Sequence, residues 1–295
     1  MSYRFGLSPR TLSPRPVAAF AGLALVVCGS LAHAAVYTNE TFDTDVIGLN
    51  PTDPSQRAVT GDVLVSAGNP TIGLDNVVNF NDASATDGQY LEYNAGPAPL
   101  TDLYTSFDIL NTNPAPADAS GSNQITFSVG NWNDSGGTQL NSNSKRSFLI
   151  DIYYSGNRNN IKVRNDAGTI TTVDYDTTQL QTFQVWANDD DTNAISYLRP
   201  DDSTVQTLSA NSFVVWVNDT LLSSTASGDV MSTTGTGSTV GDATLGRFGF
   251  ITTTSTQANF LIDNVFASDV VVPEPGSLCL LAAGGLMVSL RRRSA

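Results

Sequence analysis

Apolar and polar residues alternate through most of the middle of the chain, and no capped stretch repeats them at helical spacing. Phe183, Val185 and Ala187 fall on one side of a run, with Gln184 and Trp186 on the other. Phe213, Val215 and Val217 do the same opposite Val214 and Trp216. This two-residue period predicts strands with one face buried. Runs rich in Val, Ile, Thr, Tyr, Phe and Trp, bounded by Gly, Asn, Asp, Pro and Ser, place strands at 62–66, 89–93, 104–110, 124–129, 147–154 and 160–164. Others fall at 169–175, 182–187, 194–198, 212–217, 246–252 and 259–267. About a dozen strands in one domain predict an all-β, two-sheet antiparallel sandwich rather than a small barrel.

Val185-Trp186-Ala187-Asn188-Asp189 is echoed by Val215-Trp216-Val217-Asn218-Asp219. One echo is too little for a repeat array, and it reads as two strands ending in Asn/Asp turns. Asn111 to Asn123 and the Ser/Thr/Gly-rich stretch Ser223 to Thr244 read as long surface loops.

The two ends follow another pattern. Arg4, Arg10 and Arg15 precede the apolar stretch Val17 to Leu31 and then Ala32-His33-Ala34. That order predicts a signal peptide over residues 1–34, with cleavage read from Ala32 and Ala34. At the other end, Pro273-Glu274-Pro275 precedes an uncharged apolar run, Ser277 to Leu290, and Arg291-Arg292-Arg293. As a helix this run reaches about 21 Å, short of the roughly 30 Å hydrocarbon core, so transient membrane insertion suits it better than a permanent span. The domain plan is therefore signal peptide 1–34, β-sandwich 35–270 and tail 271–295, with a helix at each extremity.

Val272 to Ser277, the apolar run and the three arginines together resemble the PEP-CTERM sorting signal of Gram-negative bacteria. That resemblance implies recognition of the tail by an exosortase and delivery to the cell surface, outer envelope or extracellular matrix, with membrane anchoring before processing. It covers about 23 residues and is silent on the body. Separately, Glu40-Thr41-Phe42-Asp43 and Phe260 to Val265 are similar to the first and last strands of concanavalin A-like (laminin-G-like) jelly rolls. Phe213 to Leu222 is similar to their strand–turn–strand hairpin, with Asp219 where Gly is usual. In that fold the terminal strands usually pair, which the resemblance implies here as well.

Composition narrows the chemistry. Whole-chain net charge is −14, but residues 35–272 hold 27 acidic against eight basic residues, a net −19. Such a surface repels nucleic acid and anionic membranes. Cys28, Cys279 and His33 all lie in or beside the terminal segments, so the body contains neither Cys nor His. Ser-His-Asp, Cys-His and His/Cys zinc chemistry are thereby excluded from it. Glycoside hydrolysis needs two carboxyls about 5–10 Å apart. The body has only two glutamates, Glu40 and Glu92, 52 positions apart, and no Glu-x-Asp-x-Glu strand.

The run Asn188 to Asn193 sets oxygens at Asp189, Asp191 and Asn193, the opening spacing of a calcium loop. It departs from the EF-hand at Ala194 and Pro200, and a polar hairpin turn after Ala187 explains it more simply, since turns attract Asp and Asn. Asp151-Ile152-Tyr153 is similar to the metal strand of legume lectins, with Leu149 in place of an acid. Trp132, between Asn131 and Asn133, offers a ring that can stack on a sugar or be an ordinary partly buried aromatic. The expectation is an exported, non-enzymatic structural or adhesive protein that needs no cofactor. Its alternatives are a glycan-binding module, with exopolysaccharide or other glycans as partner and calcium as an optional aid, and a polysaccharide-active enzyme.

Overall fold

The computed structural model describes residues 34–52, 56–60, 63–68, 74–82, 88–95, 100–112, 124–130, 140, 146–155, 158–165, 168–174, 179–222, 231–232, 245–252 and 258–269. The expected signal segment through residue 33, Trp132, the expected sorting tail from Pro273 and most of the two low-complexity stretches lie outside them.

All regular structure among the described residues is β. One antiparallel sheet runs β15 (Thr220–Leu222), β14 (Ser212–Val217), β11 (Gln181–Asn188), β6 (Asp102–Asn111), β18 (Ala258–Ser268), β4 (Asn76–Asp82) and β3 (Val63–Ala67). In addition β1 (Val36–Glu40) pairs with β18, and β16 (Met231–Ser232) with β14. The other sheet runs β10 (Gly168–Asp174), β9 (Arg158–Asn165), β8 (Arg146–Ser155), β7 (Gln124–Gly130), β17 (Arg247–Ile251), β5 (Tyr90–Asn94) and β2 (Gln56–Thr60). A separate hairpin joins β12 (Ile195–Leu198) to β13 (Val205–Leu208).

The two large sheets pack face to face through their apolar sides. Phe107 of β6 lies 4.7 Å from Phe127 of β7 and 4.9 Å from Phe250 of β17, and Phe148 of β8 stacks at 4.0 Å on Phe213 of β14. Alternation places these rings in one layer, since every second residue of each strand turns inward. The sandwich is also pinned by polar groups at one end. Thr252, just after β17, donates its hydroxyl to the Asp82 carboxylate of β4 at 2.6 Å and accepts the Gln89 amide hydrogen at 2.8 Å.

The echoed pentapeptides prove to be neighbours. β11 and β14 pair antiparallel with Val185 opposite Val215 and Trp186 opposite Val214. Their tryptophans face away from the main core and are covered by the β12–β13 hairpin, which adds Tyr197 and Leu208 to a second apolar cluster. Asn188 holds the base of that hairpin, donating its amide to the carbonyls of Asn193 at 2.8 Å and Ser209 at 2.9 Å. The hairpin between β14 and β15 turns on Asn218 and Asp219, whose φ angles of 47° and 61° are those of a type I′ turn.

The opening strand meets the closing one: β1 pairs with β18 from Val36 opposite Ser268 to Glu40 opposite Val265. Asp269 accepts hydrogen bonds from the Tyr37 hydroxyl and, at 3.4 Å, from the Ala35 amide.

Candidate functional site

On the seven-stranded sheet, the face turned away from the core is where charge collects. Across that face one register row runs Glu92, Gly249, Ser128, Leu149, Arg164, contributed in turn by β5, β17, β7, β8 and β9. Two residues along, the next row runs Tyr90, Ile251, Thr126, Asp151, Lys162. On the other side of the first row, Arg247 sits opposite Gly130, and Gly130 opposite Arg146 across a register shift. Five strands far apart in sequence thus place Glu92, Asp151, Arg146, Lys162, Arg164 and Arg247 on one surface.

Several of these side chains are deeply buried although they lie on the outer side of a sheet. Glu92 and Arg247 are each 1% exposed, and the Arg247 Nη1 lies 3.4 Å from the Glu92 Oε2. Leu140 closes over them. Its backbone amide donates to the Glu92 Oε1, and its carbonyl accepts the Arg146 Nε–H at 2.6 Å. Gly249 is required by this arrangement: a Cβ there would meet the Leu91 carbonyl oxygen at 2.4 Å and the Glu92 Cα at 2.8 Å. Ser128, in the same row, is fully buried with no hydrogen-bond partner for its hydroxyl.

Asp151 anchors the other half. It accepts the Thr126 hydroxyl at 2.7 Å and the Gln124 amide at 3.2 Å, and the Arg164 Nη1 lies 3.5 Å away. Arg146 is pushed down to about 10, chiefly because burial penalises its charge; the Asp151 charge works against this, Arg164 adds a smaller lowering, and Glu92 a still smaller rise. The Tyr153 hydroxyl is raised, first by burial and then by the Asp151 charge. Tyr90, Tyr153, Lys162 and Arg164 are half-exposed and form the open part of the face.

The two carboxylates are not a hydrolytic pair. β5 and β8 are three strand spacings apart, which sets the Glu92 and Asp151 backbones about 14 Å from each other. Glu40, the other glutamate of the body, belongs to the opposite sheet and accepts the Phe42 amide hydrogen at 2.6 Å.

The predicted calcium residues Asp189, Asp191 and Asn193 lie in the loop between β11 and β12, far in topology from the charged face. Its shape is set by Asp190, which sequence reading passed over. The Asp190 Oδ1 accepts the backbone amide hydrogens of Thr192 and Asn193, each at 2.8 Å. Those bonds, with the Asn193 side chain contributing most, hold its carboxyl well below the usual range. The Asp191 Oδ1 accepts the Asn211 amide at 3.1 Å. Among the described residues no group of three or more His, Cys, Asp or Glu side chains could hold a metal ion.

An acidic patch lies on the outer side of the nine-stranded sheet. Asp263 of β18 sits opposite Asp108 of β6, beside a bulge at Asn264, whose φ is 51°. Asn264 donates its side-chain amide to Asp108 at 2.7 Å and its backbone amide to Asp263 at 2.7 Å. Burial pushes the Asp263 carboxyl up to about 7, and the charges of Asp108, Asp43 and Asp75 add to the rise.

The chain matches no protein-family model. It matches no curated protein sequence. Among solved structures it aligns with the globular domain of T. cruzi calreticulin at a TM-score of 0.47 and 10% identity, covering 80% of this chain and 89% of that one. The carbohydrate recognition domain of Emp47p aligns at 0.45 and 10% identity, over 80% and 96%. A carbohydrate esterase from the Shiga toxin-encoding bacteriophage phi24B aligns at 0.47 and 11% identity, over 81% and 100%.

Proposed function

We propose that this chain is an exported, non-catalytic glycan-binding module that serves adhesion at the cell surface or in the extracellular matrix. The observation that carries the reading is the outer face of the seven-stranded sheet. There a buried, internally paired set of charges supports an open surface of half-exposed polar and aromatic side chains, which suits a ligand. Charged forks beside half-exposed Tyr90 and Tyr153 suit a polyhydroxylated ring, which needs fixed hydrogen-bonding partners and an aromatic edge. The wide spacing of Glu92 and Asp151, and their commitment to arginines and backbone or hydroxyl donors, support binding over hydrolysis. Binding of the purified full-length chain to a glycan array, with and without chelator, tests the reading. Binding to no glycan in either condition refutes it, and binding lost only with chelator shows that a divalent cation takes part.

The address rests on the two terminal motifs. Delivery by an exosortase is what the resemblance of the Pro273-Glu274-Pro275 corner, the short apolar run and Arg291 to Arg293 to the PEP-CTERM signal implies. Deleting residues 273–295 is expected to misroute the protein while leaving the melting temperature of the sandwich unchanged. Unaltered surface delivery of the truncated chain in cell fractionation would overturn the address.

A further inference from the structure

We infer that the saccharide held on the seven-stranded sheet is an anionic one, its carboxylate received by Arg164 and Lys162 with Arg146 behind them. The inference rests on the glycan-binding reading and names the ligand class for the same face.

Residues 35–272 contain eight cationic side chains against 27 acidic ones. If those cations only solubilised the surface, they would be scattered. Instead four of the eight, Arg146, Lys162, Arg164 and Arg247, stand on one face of β8, β9 and β17. Glu92 and Asp151 share that face, so the described charges on it sum to plus two, with Lys162 and Arg164 the cations open to solvent, on a body that is negative by nineteen. An anion approaching this protein is repelled nearly everywhere else and focused here.

The arrangement within the patch points the same way. Arg146 is 8% exposed, and Arg164 stands close enough to depress its protonation further. Asp151 raises Arg146 by more than Arg164 lowers it and meets Arg164 at 3.5 Å, so the two guanidinium groups already share one carboxylate of the protein. The open side of Arg164 and the neighbouring Lys162 are left to receive a second carboxylate from a ligand, and a guanidinium fork matches a planar carboxylate in shape. The entry side is suitable as well. Arg164 keeps 28% of its side chain exposed although it lies 3.5 Å from Asp151, and Lys162 beside it is half-exposed. Both belong to β9, one strand from the edge of the sheet, where an extended polymer can lie across the face.

The test uses the full-length chain in mild detergent with chelator present, titrated with four polymers. These are polygalacturonate, its carboxyl-reduced neutral counterpart, dextran and dextran sulfate. Polygalacturonate is expected to bind, more weakly as sodium chloride rises, with little binding to the reduced polymer or dextran. R164Q is expected to weaken it about ten-fold, and the K162Q/R164Q double variant to abolish it. R199Q, which removes a cation from the turn of the separate β12–β13 hairpin, should change nothing. Circular dichroism melts of each variant separate loss of binding from loss of fold. Equal binding to the carboxyl-reduced polymer, or unchanged affinity in folded R164Q, overturns the inference while leaving glycan binding in place. Binding of dextran sulfate alone overturns the carboxylate assignment. Binding of none of the four overturns the inference, and the glycan reading falls with it only if the array is also blank.

Discussion

The buried ion pair between Glu92 and Arg247 gives a quantitative test of how the charged face is built. In the variant E92Q the amide keeps nearly the same volume and an acceptor for the Leu140 N–H, but the carboxylate that Arg247 meets at 3.4 Å is gone. Both residues are 1% exposed, so water cannot take over the lost solvation. Removing one member of such a pair typically costs about 3–5 kcal/mol. A domain this size loses about 2–4 °C of melting temperature per kcal/mol, so the expected fall is about 6–20 °C. Calorimetry of the full-length chain, supported by urea unfolding, reads it directly. The double variant E92Q/R247M removes both charges and is expected to recover at least half of the loss, because an uncharged, well-packed pair demands no counter-ion. A single-variant loss under about 1 kcal/mol, or a double variant as unstable as the two singles summed, would refute the argument.

Two further predictions concern other parts of the fold. D219G should stabilise the chain by about 0.5–1 kcal/mol, since glycine adopts the φ of 61° without strain, whereas N218G should destabilise it by losing hydrogen bonds to Thr182 at 2.8 Å and Gln181 at 2.7 Å. A fall in the melting temperature of D219G, or a rise in that of N218G, would count against this account of the turn. For Asp263, raised from 3.8 to about 7 in the fold, the folded state holds the proton more tightly than the unfolded chain. Its favourable contribution is therefore complete below about pH 4 and is lost as the pH rises towards 7. D263N should match the parent near pH 4 and exceed it in melting temperature above pH 7; a difference independent of pH would contradict this.

Much of the sandwich was legible because alternation is a local signal. The ten residues of β6 alternate in burial without interruption and β11 does so through Val185, and all twelve predicted strands are present within a residue or two at most ends. The pairing of terminal strands expected from the jelly-roll resemblance is realised in β1 and β18. Where sequence reading missed strands, local composition misled it. β4 reads Asn-Val-Val-Asn-Phe-Asn-Asp, and its asparagines mimic a loop although Val77, Val78 and Phe80 are fully buried. β13 is mostly exposed and carries one buried residue, Leu208, so it shows no alternation to detect.

The charged face was not legible for a different reason. A single Asp between Ile150 and Ile152, or a single Glu between Leu91 and Tyr93, is what any half-exposed strand displays. Glu92 and Arg247 are 155 positions apart, and only the order β8, β7, β17, β5 brings their side chains together. The one usable hint was Gly249 inside an apolar strand, a residue that signals close approach by a neighbour.

The seating of β18 bears on how such a module would carry mechanical load. Its first half is flanked by β4 and β6, and its last residues by β1 and β6, so it is laced on both sides until Ser268. A tether pulling at Asp269 along the strand must slide all these ladders at once instead of peeling them bond by bond. Hung from that point, the sandwich would resist drag from a moving polymer far better than one suspended from an edge strand.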